Sequence, residues 1–148
     1  IATAALVFRT SKRWELKMST FAHTRRLLEI RRIGKTFTFD AAHYLPNHDG
    51  KCKHLHGHTY HVEVVFEGEL CETGPQEGMI LDFGKVTDAW RRMEGHYDHK
   101  LLNDLFANPT AEVIAESIWL HFAADNLFPK EVKLWETPTS WASYQNPS

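Results

Sequence analysis

The sequence predicts an α+β domain in which a four-stranded antiparallel sheet is covered on one face by two helices, in the order ββααββ. Three observations predict this class. Two early segments alternate apolar and polar residues with a period of two, as half-buried strands do. Two later segments space their apolar residues like helices, and two short alternating segments close the sequence. Strands on both sides of a helix pair are typical of such a fold.

Histidines end the apolar faces of the first two predicted strands. From Lys35 the segment TFTFDAAH places on one face Phe37, Phe39, Ala41 and His43. The turn LPNHDGK follows, rich in residues that favour turns. The segment HGHTYHVEVVFEGEL then alternates again, with an inward face of His56, His58, Tyr60, Val62, Val64 and Phe66.

Two amphipathic helices are predicted after the loop ETGPQEG. Asp82 is the expected N-cap of the first helix, whose apolar stripe is Val86, Ala89, Trp90 and Met93. The second helix should begin near residues 108–110, with Glu112 in its first turn, and should end near residues 126–129. Its predicted buried stripe is Ile114, Ile118 and Phe122.

The last two predicted strands are EVKLWETP and SWASY. In the first of them Glu136 shares the inward face with Val132 and Leu134, where a carboxylate is costly to desolvate without a partner. The amino-pyrimidine edge of a heterocycle would match both carboxylate oxygens. A solvated acid at the end of a strand is the alternative. Because a small open sheet has unprotected edges, we also expect the chain to form oligomers.

Composition bounds the possible functions. The 148 residues suit one domain with a modest core. Residues 1–28 contain six of the 17 Lys and Arg but only one of the 19 acidic residues, so the rest of the chain is acidic. An acidic body lacks the basic footprint of a nucleic-acid binder. Because no apolar run approaches about 20 residues, no membrane span is expected either.

The strand and helix patterns do not include the first residues of the chain. Residues 29–148 are interpreted as the single domain and residues 1–28 as an extension. Met18 could be the native start, or the basic extension could be a leader sequence.

Cys52 and Cys71 are too few for a disulfide framework, and we interpret both as reduced thiols of a cytoplasmic protein.

His43, His56 and His58 are the predicted ligands of a zinc ion. Residues i and i+2 of a strand project to the same side, so His56 and His58 can reach one ion, and His43 can approach it from the neighbouring strand. Three protein ligands leave a position for water or substrate, as catalytic zinc sites require. The alternative is that these are ordinary half-buried histidines of two strands.

Cys52 is the predicted reactive thiol. It lies between Lys51 and Lys53 and four residues before His56, and nearby positive charge favours the thiolate. The alternative is that Cys52 is a fourth zinc ligand, which would make the site structural and the protein a noncatalytic zinc module. Asp98 and His99 form a second candidate, in which the carboxylate orients an imidazole that relays protons, or else the two residues form a simple salt bridge.

Six motifs in the same order resemble the 6-pyruvoyltetrahydropterin and 6-carboxytetrahydropterin synthase family: FDAAH, CKHLHGHTY, DFG, YDHKLLN, NPTAE and WET. The resemblance covers roughly residues 29–145. The spacing C-x-x-x-H-G-H is similar to that of the 6-carboxytetrahydropterin synthase branch, because the pyruvoyl-forming branch typically has a longer gap. Tyr97 departs from the Leu that often precedes Asp-His in the family.

The resemblance implies a tunnelling fold, in which homotrimers or hexamers share active sites between subunits. It also implies that zinc is bound by His43, His56 and His58, and that Cys52, Asp98 and His99 are catalytic. Glu136 would anchor a pterin, and Thr110 and Glu112 would lie near it.

The implied reaction is that of a carbon–carbon lyase. It converts 7,8-dihydroneopterin triphosphate to 6-carboxy-5,6,7,8-tetrahydropterin with loss of acetaldehyde and triphosphate, in queuosine and 7-deazapurine biosynthesis. The alternative within the family is 6-pyruvoyltetrahydropterin synthase activity, which eliminates triphosphate.

Overall fold

The computed structural model describes residues 29–145, which form one mixed sheet and two helices. The strands and helices in chain order are β1 (Arg31–His43), β2 (His56–Gly68), α1 (Phe83–Met93), β3 (Lys100–Leu101), α2 (Ala111–Ala124), β4 (Glu131–Thr137) and β5 (Ser140–Tyr144). Short 3-10 turns at Lys51–Lys53, Glu94–His96 and Leu102–Asp104 connect them. No helix in this part of the chain has the length and apolar character to cross a bilayer.

The sheet has five strands in the order β3-β1-β2-β4-β5, one more than predicted. The four long strands are the predicted ones and pair antiparallel, as expected, and β1 begins at Arg31, four residues before the predicted start. The added strand β3 pairs parallel with β1 through Ala41 and Ala42. Two residues are too short to carry an alternating pattern, so this strand could form only through tertiary contact with β1.

The helices cover one face of the sheet, as predicted. The expected Asp82 cap is present, with its carboxylate accepting from the Gly84 N–H at 2.7 Å. The second helix begins where predicted, and its cap is the Thr110 hydroxyl oxygen, which accepts from the Val113 N–H at 3.4 Å. The predicted stripes are buried, with both helices contributing to one core. The inward residues of β1, β2 and β4 complete this core. His43, the last residue of β1, is a buried polar residue at the edge of the core.

Tyr97 extends this core toward the turn that carries Asp98 and His99. Its ring is 1% exposed, and its hydroxyl lies 2.9 Å from Ser117 Oγ and 3.0 Å from His121 Nδ1. Burial raises the pKa of Tyr97 to about 12, so the hydroxyl is neutral. A buried tyrosine is accommodated here because α2 supplies polar partners for its hydroxyl.

Candidate functional site

Three imidazoles meet at the end of the β1–β2 pair. His43 lies directly opposite His56 in the register of the two strands, and His58 follows two residues later on the same face. The ring centroids are 4.5 to 5.2 Å apart, and one nitrogen from each ring lies within 4.8 Å of the others. The structure therefore brings the three predicted ligands together.

Hydrogen bonds orient two of these rings. His43 Nδ1 lies 2.8 Å from the carbonyl oxygen of Pro109, and His56 Nδ1 lies 2.8 Å from that of His54. A carbonyl only accepts, so Nδ1 carries the proton in both rings and Nε2 has a free lone pair. Backbone carbonyls orient metal-binding histidines in this way.

The remaining nitrogens of the cluster fit a metal ion. Nε2 of His43 and Nε2 of His58 are buried and have no hydrogen-bond partner among residues 29–145. Buried polar atoms normally have a partner, and a cation bound by three imidazole nitrogens would supply one. The donor set is that of a site for zinc or a similar transition metal.

The environment of His58 keeps its ring neutral. Burial lowers its pKa, and the neighbouring His43 and His56 lower it further, while the charge of Glu136 partly opposes them. A neutral imidazole is the form that binds a metal.

A pocket of about 460 Å³ adjoins the cluster and contains two more predicted site residues, Cys52 and Glu136. Cys52 lies in the 3-10 turn Lys51–Lys53, held to the chain by a 2.8 Å hydrogen bond from the Leu45 N–H to the Cys52 carbonyl oxygen. In the described part of the chain, the ligand atoms of this cluster that lie within 4.8 Å of one another belong to His43, His56 and His58. The Cys52 thiol is not part of that group. Cys52 thus lies beside the cluster.

Glu136 is half-buried, not fully buried as its alternation with Val132 and Leu134 predicted. The pairing of β4 with β5 is irregular between Trp135 and Thr137, which disturbs the strict alternation at this position. The Glu136 side chain is 27% exposed, and its Oε1 lies 3.8 Å from His43 Nε2. It therefore faces the pocket beside the histidines and can accept hydrogen bonds from a ligand.

Asp98 and His99 form a hydrogen-bonded pair in the turn before β3. His99 Nδ1 lies 2.8 Å from Asp98 Oδ2, while Asp98 Oδ1 accepts from the Asp40 N–H at 3.0 Å. The Asp40 N–H and then the His99 ring hold the pKa of Asp98 below its usual value. The carboxylate therefore stays ionised to lower pH and can orient the imidazole.

This pair is not in the pocket of Cys52. Successive residues of a strand point to opposite faces, so Asp40 and the pair bound to it lie across the sheet from His43. His99 lines a separate, open cavity of about 620 Å³, and His58 is the one residue that lines both pockets in the described part of the chain. Within one chain, the structure does not bring Cys52 and His99 together.

Thr110 and Glu112, expected near the substrate, lie outside the pocket of Cys52 within this chain. Thr110 caps α2, and the preceding Pro109 carbonyl orients His43. Glu112 is exposed in the first turn of α2, and neither residue lines the pocket of Cys52. Sequence reasoning missed two residues that matter here, the Pro109 carbonyl and Asp40. Their roles depend on backbone atoms, which leave no signal in a pattern of side chains.

The chain matches the family model described as 6-pyruvoyl tetrahydropterin synthase over residues 32–147. It is 36% identical over 138 residues to the 6-carboxy-5,6,7,8-tetrahydropterin synthase of Haemophilus influenzae, with 77% of this chain and 98% of that protein covered. It is 38% identical over 120 residues to the enzyme of the same name from Synechocystis, with coverages of 78% and 93%.

Two further matches differ in name. The dihydroneopterin monophosphate aldolase of Pyrococcus furiosus is 36% identical over 97 residues, covering 66% of this chain and 77% of that protein. The solved structure of Caenorhabditis elegans 6-pyruvoyl tetrahydropterin synthase superposes with a TM-score of 0.69 at 23% identity, covering 81% of this chain and 98% of that one. At that identity the superposition shows the fold, which is the predicted tunnelling fold.

Proposed function

The chain belongs to the 6-pyruvoyl tetrahydropterin synthase family of enzymes, and from this membership we propose that it is a zinc-dependent 6-carboxytetrahydropterin synthase. As a carbon–carbon lyase it converts 7,8-dihydroneopterin triphosphate and one water to 6-carboxy-5,6,7,8-tetrahydropterin, acetaldehyde and triphosphate. The product would enter 7-deazapurine and queuosine synthesis in the cytoplasm.

One observation carries this proposal: His43, His56 and His58 converge beside a pocket that also contains Cys52 and Glu136. A metal with three imidazole ligands retains a coordination position for substrate. Zinc bound there would act as a Lewis acid toward the side-chain oxygens of the substrate. The thiol and the carboxylate lie around the same space, where a bound heterocycle would meet both.

Glu136 is proposed to bind the pterin. Its side chain faces the pocket, and its two oxygens can accept from the ring N–H and the exocyclic amine of a pterin at once. This pair of hydrogen bonds would fix the orientation of the ring in the pocket.

Cys52 is proposed to move a proton at the carbon skeleton of the bound pterin. Its side chain is partly exposed and lines the pocket, as a reactive thiol must be. The 3-10 turn places Lys51 in the lining of the same pocket, where its charge would attract the triphosphate.

The relay imidazole is proposed to come from a neighbouring subunit. Asp98 is half-buried and His99 is exposed, and both lie on the sheet face opposite the pocket of Cys52, so they cannot serve that pocket in the same chain. Sheets joined through β3 and β5, the two edge strands, would bring the pair of one copy to the pocket of another. A homotrimer or a hexamer of two trimers fits this arrangement.

Mixed oligomers test the shared site. Cys52→Ala and His99→Ala are each expected to lose nearly all turnover. When the two variants are unfolded, mixed in equal amounts and refolded, random assembly should restore about a quarter of the wild-type rate, since that share of sites has both intact residues. The measurement is turnover before and after mixing. No gain, in oligomers shown by mass spectrometry to be mixed, would mean that each site belongs to one chain.

Product analysis tests the reaction itself. Purified protein loaded with zinc and given 7,8-dihydroneopterin triphosphate should release acetaldehyde and triphosphate in equal amounts. Triphosphate without acetaldehyde would support pyruvoyl-forming activity. Turnover of dihydroneopterin monophosphate in preference to the triphosphate would support the activity named for the Pyrococcus furiosus relative. Either result would refute the proposed reaction while leaving the metal site intact.

A further inference from the structure

We propose that Asp40 and Thr59 are positioning residues for the His99 imidazole, and that the Thr59 hydroxyl acts by holding the Asp40 carboxylate away from that ring. The inference rests on the proposed function in one respect, because His99 is taken to carry a proton in the reaction. Neither Asp40 nor Thr59 lines the pocket of Cys52, and both act through His99.

The backbone of Asp40 holds both members of the pair. Its N–H donates to Asp98 Oδ1 at 3.0 Å, and its carbonyl oxygen accepts from the His99 N–H at 2.6 Å. The parallel pairing of β1 with β3 begins at the next residue, where Ala41 faces Lys100. The relay pair is therefore attached to the sheet at Asp40.

These backbone bonds also stabilise an unfavourable conformation. His99 has a φ of 57°, in the left-handed region that is unfavourable for a residue with a Cβ. The short hydrogen bond to the Asp40 carbonyl offsets part of that cost. The direction of the His99 side chain thus depends on its contacts with Asp40 and Asp98.

The Asp40 side chain is a competitor for the same ring. A carboxylate oxygen of Asp40, one of Asp98 and a ring nitrogen of His99 all lie within 4.8 Å of one another. A rotation of the Asp40 side chain could bring its carboxylate into hydrogen-bond distance of His99 Nδ1. Two carboxylates beside one N–H donor would give the imidazole two orientations instead of one.

Thr59 determines which of the two carboxylates the His99 ring contacts. It faces Asp40 directly across the β1–β2 pair, and its hydroxyl donates to Asp40 Oδ1 at 2.5 Å. A hydrogen bond to an ionised acceptor is among the stronger ones in proteins. Because this bond holds the Asp40 carboxylate toward β2, Asp98 remains the partner of His99 Nδ1, at 2.8 Å.

Thr59→Val tests the role of the hydroxyl, since valine keeps the shape of threonine and suits a strand. We expect kcat to fall by about tenfold because the relay loses its single orientation, with KM and bound zinc unchanged. Thr59→Ser should keep the wild-type kcat. Thr38→Val is the matched control on the same exposed face of β1 and should also leave kcat unchanged. An unchanged kcat in Thr59→Val would overturn the proposal.

A second variant separates competition from general damage. Asp40→Asn keeps both backbone hydrogen bonds but makes the competitor a weaker acceptor, so Asp40→Asn added to Thr59→Val should restore much of the lost kcat. A further fall in kcat would overturn the competition argument. Crystal structures should show the His99 ring divided between Asp40 and Asp98 in Thr59→Val and turned to Asp98 alone in the double variant. A single orientation toward Asp98 in Thr59→Val would overturn the proposal. These structures decide the positioning claim even without pterin turnover, and absence of turnover in the wild type would count against the proposed function alone.

Discussion

Replacing Cys52 by alanine is expected to lower the release of acetaldehyde by about 10³-fold or more while the protein keeps its full complement of zinc. The thiol lines the pocket but lies outside the group of three clustered imidazoles, so its loss removes a proton-transfer group and no metal ligand. The measurements are turnover with saturating zinc and the zinc content of the purified variant.

Cys71→Ala is the matched control for this experiment. Cys71 is the other cysteine of the chain, and its backbone pairs with Met79 and Gly78 in a loop after β2, away from the pocket. It should retain wild-type turnover. If Cys52→Ala instead loses zinc, and if Cys52 of the wild-type protein resists alkylation, the thiol is a fourth ligand and the zinc is structural. That outcome would refute the catalytic role of Cys52.

Replacing His58 by alanine should remove both the metal and the activity. His58 is one of the three proposed ligands, its ring is kept neutral by burial, and its Nε2 has no hydrogen-bond partner in residues 29–145. Two imidazoles bind zinc far more weakly than three, so zinc content after dialysis should fall from about one ion per chain to below about a tenth. Turnover should fall at least a hundredfold, and metal analysis with steady-state kinetics checks both effects.

His61→Ala is the control on the same strand. His61 lies three residues after His58 on the opposite, exposed face of β2 and pairs with Thr38 across the sheet. This variant should keep its zinc and its turnover. If His58→Ala kept a full equivalent of zinc bound with wild-type affinity, the three-histidine site would be wrong, whatever happened to the activity.

The histidine cluster was predictable because the position of each of its residues follows from a local sequence pattern. Alternation placed His43 at the end of one apolar face and His56 and His58 at the end of another. A turn of 12 residues between β1 and β2 allows the two strands to pair antiparallel, and that pairing puts His43 opposite His56. The rings then have to meet, since neighbouring strands lie about 5 Å apart.

The Asp98–His99 pair shows what local sequence patterns could not predict. The sequence identified Asp98 and His99 as a possible relay, but not on which side of the sheet they would lie. That depends on the two-residue strand β3 and on two hydrogen bonds to the backbone of Asp40, 58 residues earlier in the chain. Backbone groups are the same in every residue, so these contacts have no signature in the sequence.

The placement of Glu136 was predictable from the sequence only in part. Period two correctly put it on the side of the sheet that carries the histidines, because the alternation of β4 holds through Leu134. The irregular pairing of β4 with β5 then left the carboxylate half-buried at the pocket. The strand pattern could not predict this, since such an irregularity depends on the partner strand.

By itself, the sequence determined the α+β class, the order of the four long strands and two helices along the chain, the Asp82 cap and the residues of the histidine cluster. All of these follow from local periodicity and local hydrogen bonding, which act over a few residues. Only the tertiary structure decided that His99 and Cys52 lie in different pockets, that Pro109 orients His43, and that Thr59 faces Asp40 across two strands. These relations join residues that are distant in the chain, and they arise from how the elements pack together.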